Sequence, residues 1–190
     1  MRSGDIDVII LLAANLAPLI HNDTNKKVYF QMVSTSSQKI FDVVATIREL
    51  GVDVSRGLPW FHAFTGCDIV SSFIGKGKIT IWDSWMTSKD KNQLTALFVK
   101  LSAAPAEITD TDLCLIQQFV KYFYNKRLSS DTLGAIRMKM FINCAVDDLR
   151  KLPPSEGALL LHSKRATLQA GYLWKESESD ITIPNPELWG

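Results

Sequence analysis

Hydrophobic residues in the first third of the chain fall into short runs that are separated by polar stretches. The run at residues 8–12 is uninterrupted, rich in β-branched side chains and too short for an independent helix. Such runs are typical of strands buried on both faces of a parallel sheet, so a strand is predicted there. A second strand is predicted at residues 28–32, after the polar stretch 21–25.

Helical spacing begins after the second predicted strand. Apolar side chains recur every three or four residues from Phe41 to Leu50, and Gly51 provides a signal for the end of a helix. Because strands and helix alternate up to this point, the pattern predicts the α/β fold class.

The rest of the chain carries helical patterns and no further strand pattern. Amphipathic spacing predicts helices at residues 79–85, 94–101, 110–123, 131–141 and 156–174. Thr109 or Asp110 is a suitable N-cap for the third of these. The predicted architecture is therefore a partial parallel sheet followed by an all-helical half.

The patterns divide the chain into three predicted parts. Residues 1–90 hold the sheet and the candidate chemistry, and residues 91–175 form a helical extension. Residues 176–190 are predicted to be a loose tail, since Pro184 and Pro186 favour extended backbone near the terminus.

Composition is that of an ordinary globular protein. Hydrophobic residues make up 46% of the 190 residues and charged residues 22%, which is enough for one domain with a buried core. The formal net charge of +1 provides no global field that would attract nucleic acid. Binding to nucleic acid would therefore require a local basic patch.

Two features of the sequence indicate where in the cell the protein is located: the residues around the first hydrophobic run, and the cysteines. Asp5 and Asp7 precede that run where a secretory signal would carry basic residues, and the run is too short to span a bilayer. The three cysteines are far apart and match neither a disulfide framework nor a zinc pattern. An intracellular protein, nuclear or cytoplasmic and without a membrane partner, is predicted.

Three acidic residues are candidates for metal ligation. On a strand the side chains of Asp5 and Asp7 would point to one face, and Asp68 follows a glycine that permits a sharp turn. Carboxylates that converge from separate segments repel one another unless a cation lies between them, and Mg²⁺ or Mn²⁺ accepts such oxygen ligands. The competing interpretation is that these acids are solvated and have no function.

Alternating glycines and lysines form a second candidate site. Gly75, Lys76, Gly77 and Lys78 precede a predicted helix, and glycine backbone with a helix N-terminus can bind phosphate. Their spacing does not match a Walker A loop. A flexible basic turn is the alternative interpretation.

The histidines and the first cysteine are predicted to be structural. His21, His62 and His162 lack a cysteine or histidine neighbour at ligand spacing, so core or surface positions are predicted instead of zinc ligation. Cys67 has no evident partner that would orient and activate it as a nucleophile.

Taken together, several of these segments resemble one family. Asp5-Ile6-Asp7 looks like the D-x-D step of PIN-like nucleases of the flap-endonuclease, XPG and Asteroid type, and residues 64–68 look like their G-[SC]-D element. Residues 69–78 resemble the helix–two-turn–helix of that family. A T-G-C-D-x-x-S-x-F-x-G-K-G-K segment is also similar to a set of uncharacterised proteins.

The resemblance implies roles for both candidate sites. Asp5, Asp7 and Asp68 would be catalytic ligands of Mg²⁺ or Mn²⁺ in the hydrolysis of phosphodiesters. Residues 75–78 would hold the backbone of a duplex, DNA in preference to RNA, through main-chain amides and a monovalent cation.

The chain departs from the family pattern at its start. The family places an opening strand and further acids ahead of the D-x-D step, whereas four residues precede Asp5 here. The expectation is a fragment or a degenerate copy of a nuclease, weak or inactive alone. The alternative is a non-catalytic module that binds nucleic acid or a protein partner through the helical half.

Overall fold

The computed structural model describes residues 1–3, 5–20, 25–33, 38–103, 106–124, 132–143 and 146–175. The strands are β1 (Arg2–Ser3), β2 (Tyr29–Val33) and β3 (Gln38–Asp42). The α-helices are α1 (Ile6–Ile20), α2 (Val43–Leu50), α3 (Val52–Phe64), α4 (Lys78–Thr87), α5 (Lys91–Ala103), α6 (Asp110–Tyr124), α7 (Leu133–Ile142) and α8 (Glu156–Leu168). A 3₁₀ helix at Val146–Lys151 precedes α8, and a π-helix at Gln169–Leu173 follows it.

The first hydrophobic run lies within α1, so the predicted strand at residues 8–12 is wrong. An apolar run of this length is compatible with either element. The residues that follow the run indicate a helix, because Ala13, Ala17 and Ile20 are buried at spacings of four and three residues.

The sheet is small and mixed. β2 pairs antiparallel with β3 over five residues, whereas its parallel pairing with β1 involves only Arg2 and Ser3. α1 provides the crossover that parallel pairing requires, so an α/β description is compatible with this unit. A doubly covered parallel sheet, as the sequence predicts, is not seen in the described ranges. β2 confirms the predicted strand at 28–32 within one residue.

The helical predictions agree better with the structure. α2 and α4 to α8 each overlap a predicted helix, and no strand follows β3 within the described ranges. Phe41, however, belongs to β3 and not to the helix that its spacing predicted. Asp42 caps α2 by accepting a hydrogen bond from the Ala45 N–H at 3.0 Å, and Gly51 ends it with a φ of 88°.

Helix α3 is the central element and has no counterpart among the predicted helices. Ten of its thirteen residues are buried, so it shows no one-sided hydrophobic stripe by which periodicity could reveal it. α1, α5 and α8 pack around it, and one continuous hydrophobic core extends across position 90. The division of the chain near residue 90 stays a prediction, and the predicted tail lies outside the described residues.

Trp60 anchors the centre of this core. Its ring stacks on Phe64 at 4.5 Å and on Phe98 at 4.8 Å between centroids. Its indole N–H donates to Thr167 Oγ1 at 2.9 Å, so the polar edge of the ring is satisfied although the residue is fully buried. The contact joins α3, α5 and α8 at one point.

Two bends connect α3 to α4. In the first, the Cys67 N–H donates to the Val70 carbonyl at 3.0 Å, and in the second the Lys76 N–H donates to the Phe73 carbonyl at 2.9 Å. Val70 and Phe73 are buried and attach both bends to the core. Gly75 therefore lies in a turn between α3 and α4, whereas Lys78, which the sequence grouped with that turn, begins α4. No helix in the described ranges is long and apolar enough to cross a bilayer.

Gly66 and Gly77 provide a matched pair for testing the geometry of these bends. Gly66 has a φ of 111°, and an added Cβ would lie 2.7 Å from Ser72 Cβ. Gly77 has a φ of −72°, and nothing lies within 4 Å of its added Cβ. We expect Gly66→Ala to lower the free energy of unfolding by about 1–3 kcal/mol, because strain and a steric overlap combine.

The control Gly77→Ala is expected to change the free energy of unfolding by less than about 0.5 kcal/mol. Urea denaturation followed by circular dichroism measures both values. Equal stabilities for the two variants would contradict the described path of the chain after α3.

Candidate functional site at the carboxyl end of helix α3

The carboxyl end of α3 presents a group of oxygen atoms that binds the side chain of Lys78. The Lys78 ammonium donates to the His62 carbonyl and to Thr65 Oγ1, each at 2.9 Å, and also to the Gly66 carbonyl. The last carbonyls of a helix lack intrahelical donors and carry partial negative charge. Lys78 therefore caps α3 from the first residue of α4.

The surroundings of Lys78 differ from those of a surface lysine. Burial of its ammonium is the main cause that lowers the pKa of Lys78, while Cys67 and Asp7 nearby act in the opposite direction. The residue as a whole is exposed, but its charged group points into the fold. It is therefore engaged within the protein, whereas the sequence predicted a contact with phosphate.

Asp7 and His62 form a second contact at the same end of α3. His62 Nε2 lies 2.7 Å from Asp7 Oδ1, and the side chains are only 7% and 20% exposed. Burial lowers the pKa of His62 most, Lys78 lowers it further, and Asp7 and Asp5 oppose the shift. His62 thus connects α3 to the first turn of α1, and the hydrogen bonds of Lys78 connect α3 to α4.

The D-x-D step does not form the pair of parallel carboxylates expected of a strand. Asp5 precedes α1, and its carboxylate accepts a hydrogen bond from the Asp7 N–H at 2.9 Å. Asp7 lies in the first helical turn, and helical residues two apart do not share a face. Asp5 therefore acts as a helix cap, which the sequence also permits because Asp is a preferred capping residue.

Asp68 lies in the first bend after α3 and is exposed. Within the described ranges no three side chains of His, Cys, Asp or Glu are grouped as metal ligands. Two of the three acids have partners within the protein, because Asp5 caps α1 and Asp7 contacts His62 near Lys78. Binding of Mg²⁺ or Mn²⁺ by these acids stays a prediction.

An apolar cavity of about 380 Å³ lies beside His62 and Lys78. α1, α2 and α4 supply most of its wall, including Ile9, Leu50 and Trp82. A phosphodiester would lose its hydration there without gaining matching polar partners. The cavity therefore does not favour phosphate chemistry at this end of α3.

His162 is buried on the other side of the α3 terminus. Its Nε2 donates to the Phe64 carbonyl at 2.8 Å, and its ring packs against Phe73 at 4.9 Å between centroids. Burial is the first cause that lowers the pKa of His162, Arg165 lowers it further, and the bond to Phe64 opposes them. His162 thus takes the core position, one of the two alternatives, core or surface, that the sequence allowed.

Positive side chains from three segments lie at the second bend or near the Tyr124 ring beside it, and we call them the basic patch: Lys76, Arg137 and Lys151. Lys76 Nζ lies 5.0 Å from the ring centroid of Tyr124. Burial raises the pKa of Tyr124 to about 12, and the neighbouring Arg137 partly offsets this. Lys151 adjoins the turn, since its Cγ would lie 3.6 Å from a Cβ added to Gly75.

The sequence indicated the glycine turn at residues 75–78 but not the distant side chains that lie beside it. Arg137 and Lys151 belong to segments more than sixty positions from Lys76, so no local spacing could join them. The pairing of Asp7 with His62 spans 55 positions. One local signal was present, because Ser3 and Asp5 before an apolar run are typical of a helix start.

No protein-family model matches the chain, no curated protein is significantly similar to it, and no solved structure matches it significantly.

The two buried histidines predict how stability depends on pH. Both have a pKa below the ordinary value of 6.5, so the unfolded chain binds more protons than the folded protein once the pH falls below 6.5. We expect the free energy of unfolding to decrease as the pH falls from 6.5 toward the folded pKa values. The slope is at most about 1.4 kcal/mol per pH unit for each histidine.

Urea denaturation at several pH values between about 7.5 and about 5 measures this slope, because histidine titrates within that range. His162→Gln should show a shallower slope than the unsubstituted protein, because one titrating group is gone. A slope in His162→Gln and in His62→Gln that equals the slope of the unsubstituted protein would contradict the assignment.

Proposed function

We propose that the protein binds the phosphate backbone of a nucleic acid at the bend before α4 and does not hydrolyse it. The proposal rests on one observation: the basic patch lies beside the exposed glycine turn at Gly75. DNA is the favoured partner on the resemblance to helix–two-turn–helix proteins. The proposal joins the nucleic-acid contact implied by that resemblance with the contacts that Asp5 and Asp7 make inside the protein, which leave these carboxylates less free to hold two metal ions.

Main-chain groups at the bend suit a phosphate. Gly75 and Gly77 are exposed, and no side chain caps the N-terminus of α4 at Gly77. The first N–H groups of a helix have no intrahelical acceptor, and the helix dipole attracts an anion to them. A phosphate oxygen can therefore approach this backbone closely, because no Cβ is in the way.

The basic patch adds charge to these amides. Lys151 is paired with Asp148, but both side chains are exposed, and such pairs contribute little to stability. A phosphate can compete with Asp148 for this lysine. Arg137 donates to the Pro153 carbonyl and uses one of its five N–H groups in doing so. Arginine remains charged throughout the physiological range.

Lys78 supports the proposal indirectly. The family that the sequence resembles employs a monovalent cation near its glycine-rich turn. Here an ammonium from the protein itself binds the carbonyl oxygens before the bends and fixes the start of α4. Lys78 would thus position the turn, while Lys76 and Lys151 would contact phosphate.

Exposed isoleucines favour a second candidate, a protein partner. Ile69, Ile74 and Ile79 flank the two bends and are 62%, 47% and 78% exposed. Apolar side chains gathered around one surface feature are typical of protein interfaces. If Ile79→Ser abolishes binding to a protein partner and leaves nucleic-acid binding unchanged, the result would support this candidate.

Salt dependence of duplex binding tests the proposed function. Fluorescence anisotropy with a labelled DNA duplex, titrated at several salt concentrations, gives the slope of log affinity against log salt. Lys76→Ala and Lys151→Ala should each weaken binding to all sequences alike and reduce the slope by about 0.9, because one phosphate contact is lost.

Lys89→Ala is the matched control, since Lys89 is exposed beyond the far end of α4, about 15 Å from the bend. Its slope should equal that of the unsubstituted protein. An unchanged slope in Lys76→Ala and in Lys151→Ala would contradict the binding proposal. Mg²⁺-dependent cleavage of the duplex that disappears in Asp68→Ala would contradict the proposed lack of hydrolysis.

A further inference from the structure

A second cavity, of about 180 Å³, lies on another face of α1 and shares no lining residue with the basic patch. Four segments meet there: α1, α3, the end of α5 and the π-helix after α8. Pro18 and Pro59 line it, and each interrupts the hydrogen bonding of its own helix. Cavities at such junctions are favourable places for small ligands.

Two positive side chains line this cavity. Arg56 comes from α3, and Lys175 follows the π-helix. Lys175 Nζ donates to the Ala103 carbonyl at 2.8 Å, which holds the ammonium at the end of α5. Burial is the first cause that lowers the pKa of Lys175, and the nearby Arg56 lowers it further. The two cations therefore repel each other across the cavity.

Negative charge does not balance these cations within the described lining. No described residue that lines the cavity is acidic. Arg56 Nη1 lies 3.7 Å from Asp53 Oδ1, but both side chains are exposed to solvent, which screens the pair. An anion between Arg56 and Lys175 would relieve their repulsion and could form charge-assisted hydrogen bonds with both.

The remaining wall is partly apolar and also includes the polar residues Asn15 and Ser102. Leu11, Val99 and Trp174 line it, and Trp174 offers an aromatic surface. A ligand that suits the cavity thus needs an anionic group for the cations and a compact hydrophobic body for the wall. The volume is below the range of about 300–1,000 Å³ typical of drug-sized ligands, so the body should be small.

We propose that this cavity binds a small organic anion, a carboxylate or a phosphate monoester on a compact apolar group, between Arg56 and Lys175. The site is independent of the phosphate-backbone contact at the basic patch. A ligand there would contact α1, α3 and α5 together and increase the stability of the fold by mass action.

Benzoate and benzamide provide a matched pair of probes, because they have nearly the same shape and differ in charge. Binding is measured from the backbone amide shifts of Ala103, Ala170 and Lys175 in nitrogen-15 spectra. We expect saturable shifts with benzoate, with a dissociation constant on the order of 1 mM for so small a molecule. Benzamide should bind at least about tenfold more weakly, because it lacks the charge.

Phenyl phosphate and inorganic phosphate identify the anionic group and the need for an apolar body. Phenyl phosphate should bind at least as tightly as benzoate if a phosphate monoester is the natural class, and more weakly if a carboxylate is. Inorganic phosphate should bind at least about tenfold more weakly than phenyl phosphate, since it makes no contact with the apolar wall. Equal binding of inorganic and phenyl phosphate would overturn the proposed ligand class.

Arg56→Gln and Lys175→Gln should each weaken benzoate binding by about tenfold, as expected when one charge-assisted hydrogen bond is lost. Arg56→Gln changes an exposed side chain and is expected to fold, even if Lys175→Gln loses its contact with Ala103. Lys89→Gln is the control and should bind benzoate normally. Equal affinity in Arg56→Gln and the control, or equal binding of benzamide and benzoate, would overturn the proposal.

Discussion

The arrangement of the described helices depends on how the carboxyl end of α3 is satisfied. α3 is buried on nearly all sides, so its terminal carbonyls need partners from within the protein. The Lys78 ammonium supplies one positive group to three oxygens, and His62 joins the same end to Asp7 on α1. These contacts fix where α1 and α4 begin, and the two bends between α3 and α4 follow from them.

Local patterns predicted most of the helices and failed where burial removes periodicity. α5 and α6 show apolar positions at regular spacing and were predicted closely. α3 is buried on nearly all sides, so no one-sided stripe marks it. The run in α1 fits a strand as well as a helix, because runs of that length occur in both elements. The short sheet was mispredicted because strand pairing depends on partners distant in sequence.

The candidate sites show the same limit. The exposed turn at Gly75 could be predicted, since glycines and lysines before a helix are a local feature. The inward direction of Lys78 could not, because it depends on oxygens more than ten positions earlier in the chain. Arg137 and Lys151 reach the turn only through the packing of the helical half. Nucleic-acid binding is thus proposed from a surface that the fold assembles. Two of the three acids that suggested hydrolysis, Asp5 and Asp7, make contacts within the protein, and Asp68 is exposed.

The free energy of unfolding of Lys78→Met tests the central claim, that Lys78 is a structural cation, most directly. Methionine keeps most of the aliphatic length and removes the charge, so the Gly66 carbonyl would lose its bond to the ammonium and the His62 carbonyl would keep only the bond from Thr65 Oγ1. The account predicts that the free energy of unfolding, measured by urea denaturation at neutral pH, is about 1–2 kcal/mol lower in Lys78→Met than in the control Lys89→Met. This difference is smaller than for a fully buried charged hydrogen bond, because Lys78 is partly exposed. Equal stability of the two variants would contradict it.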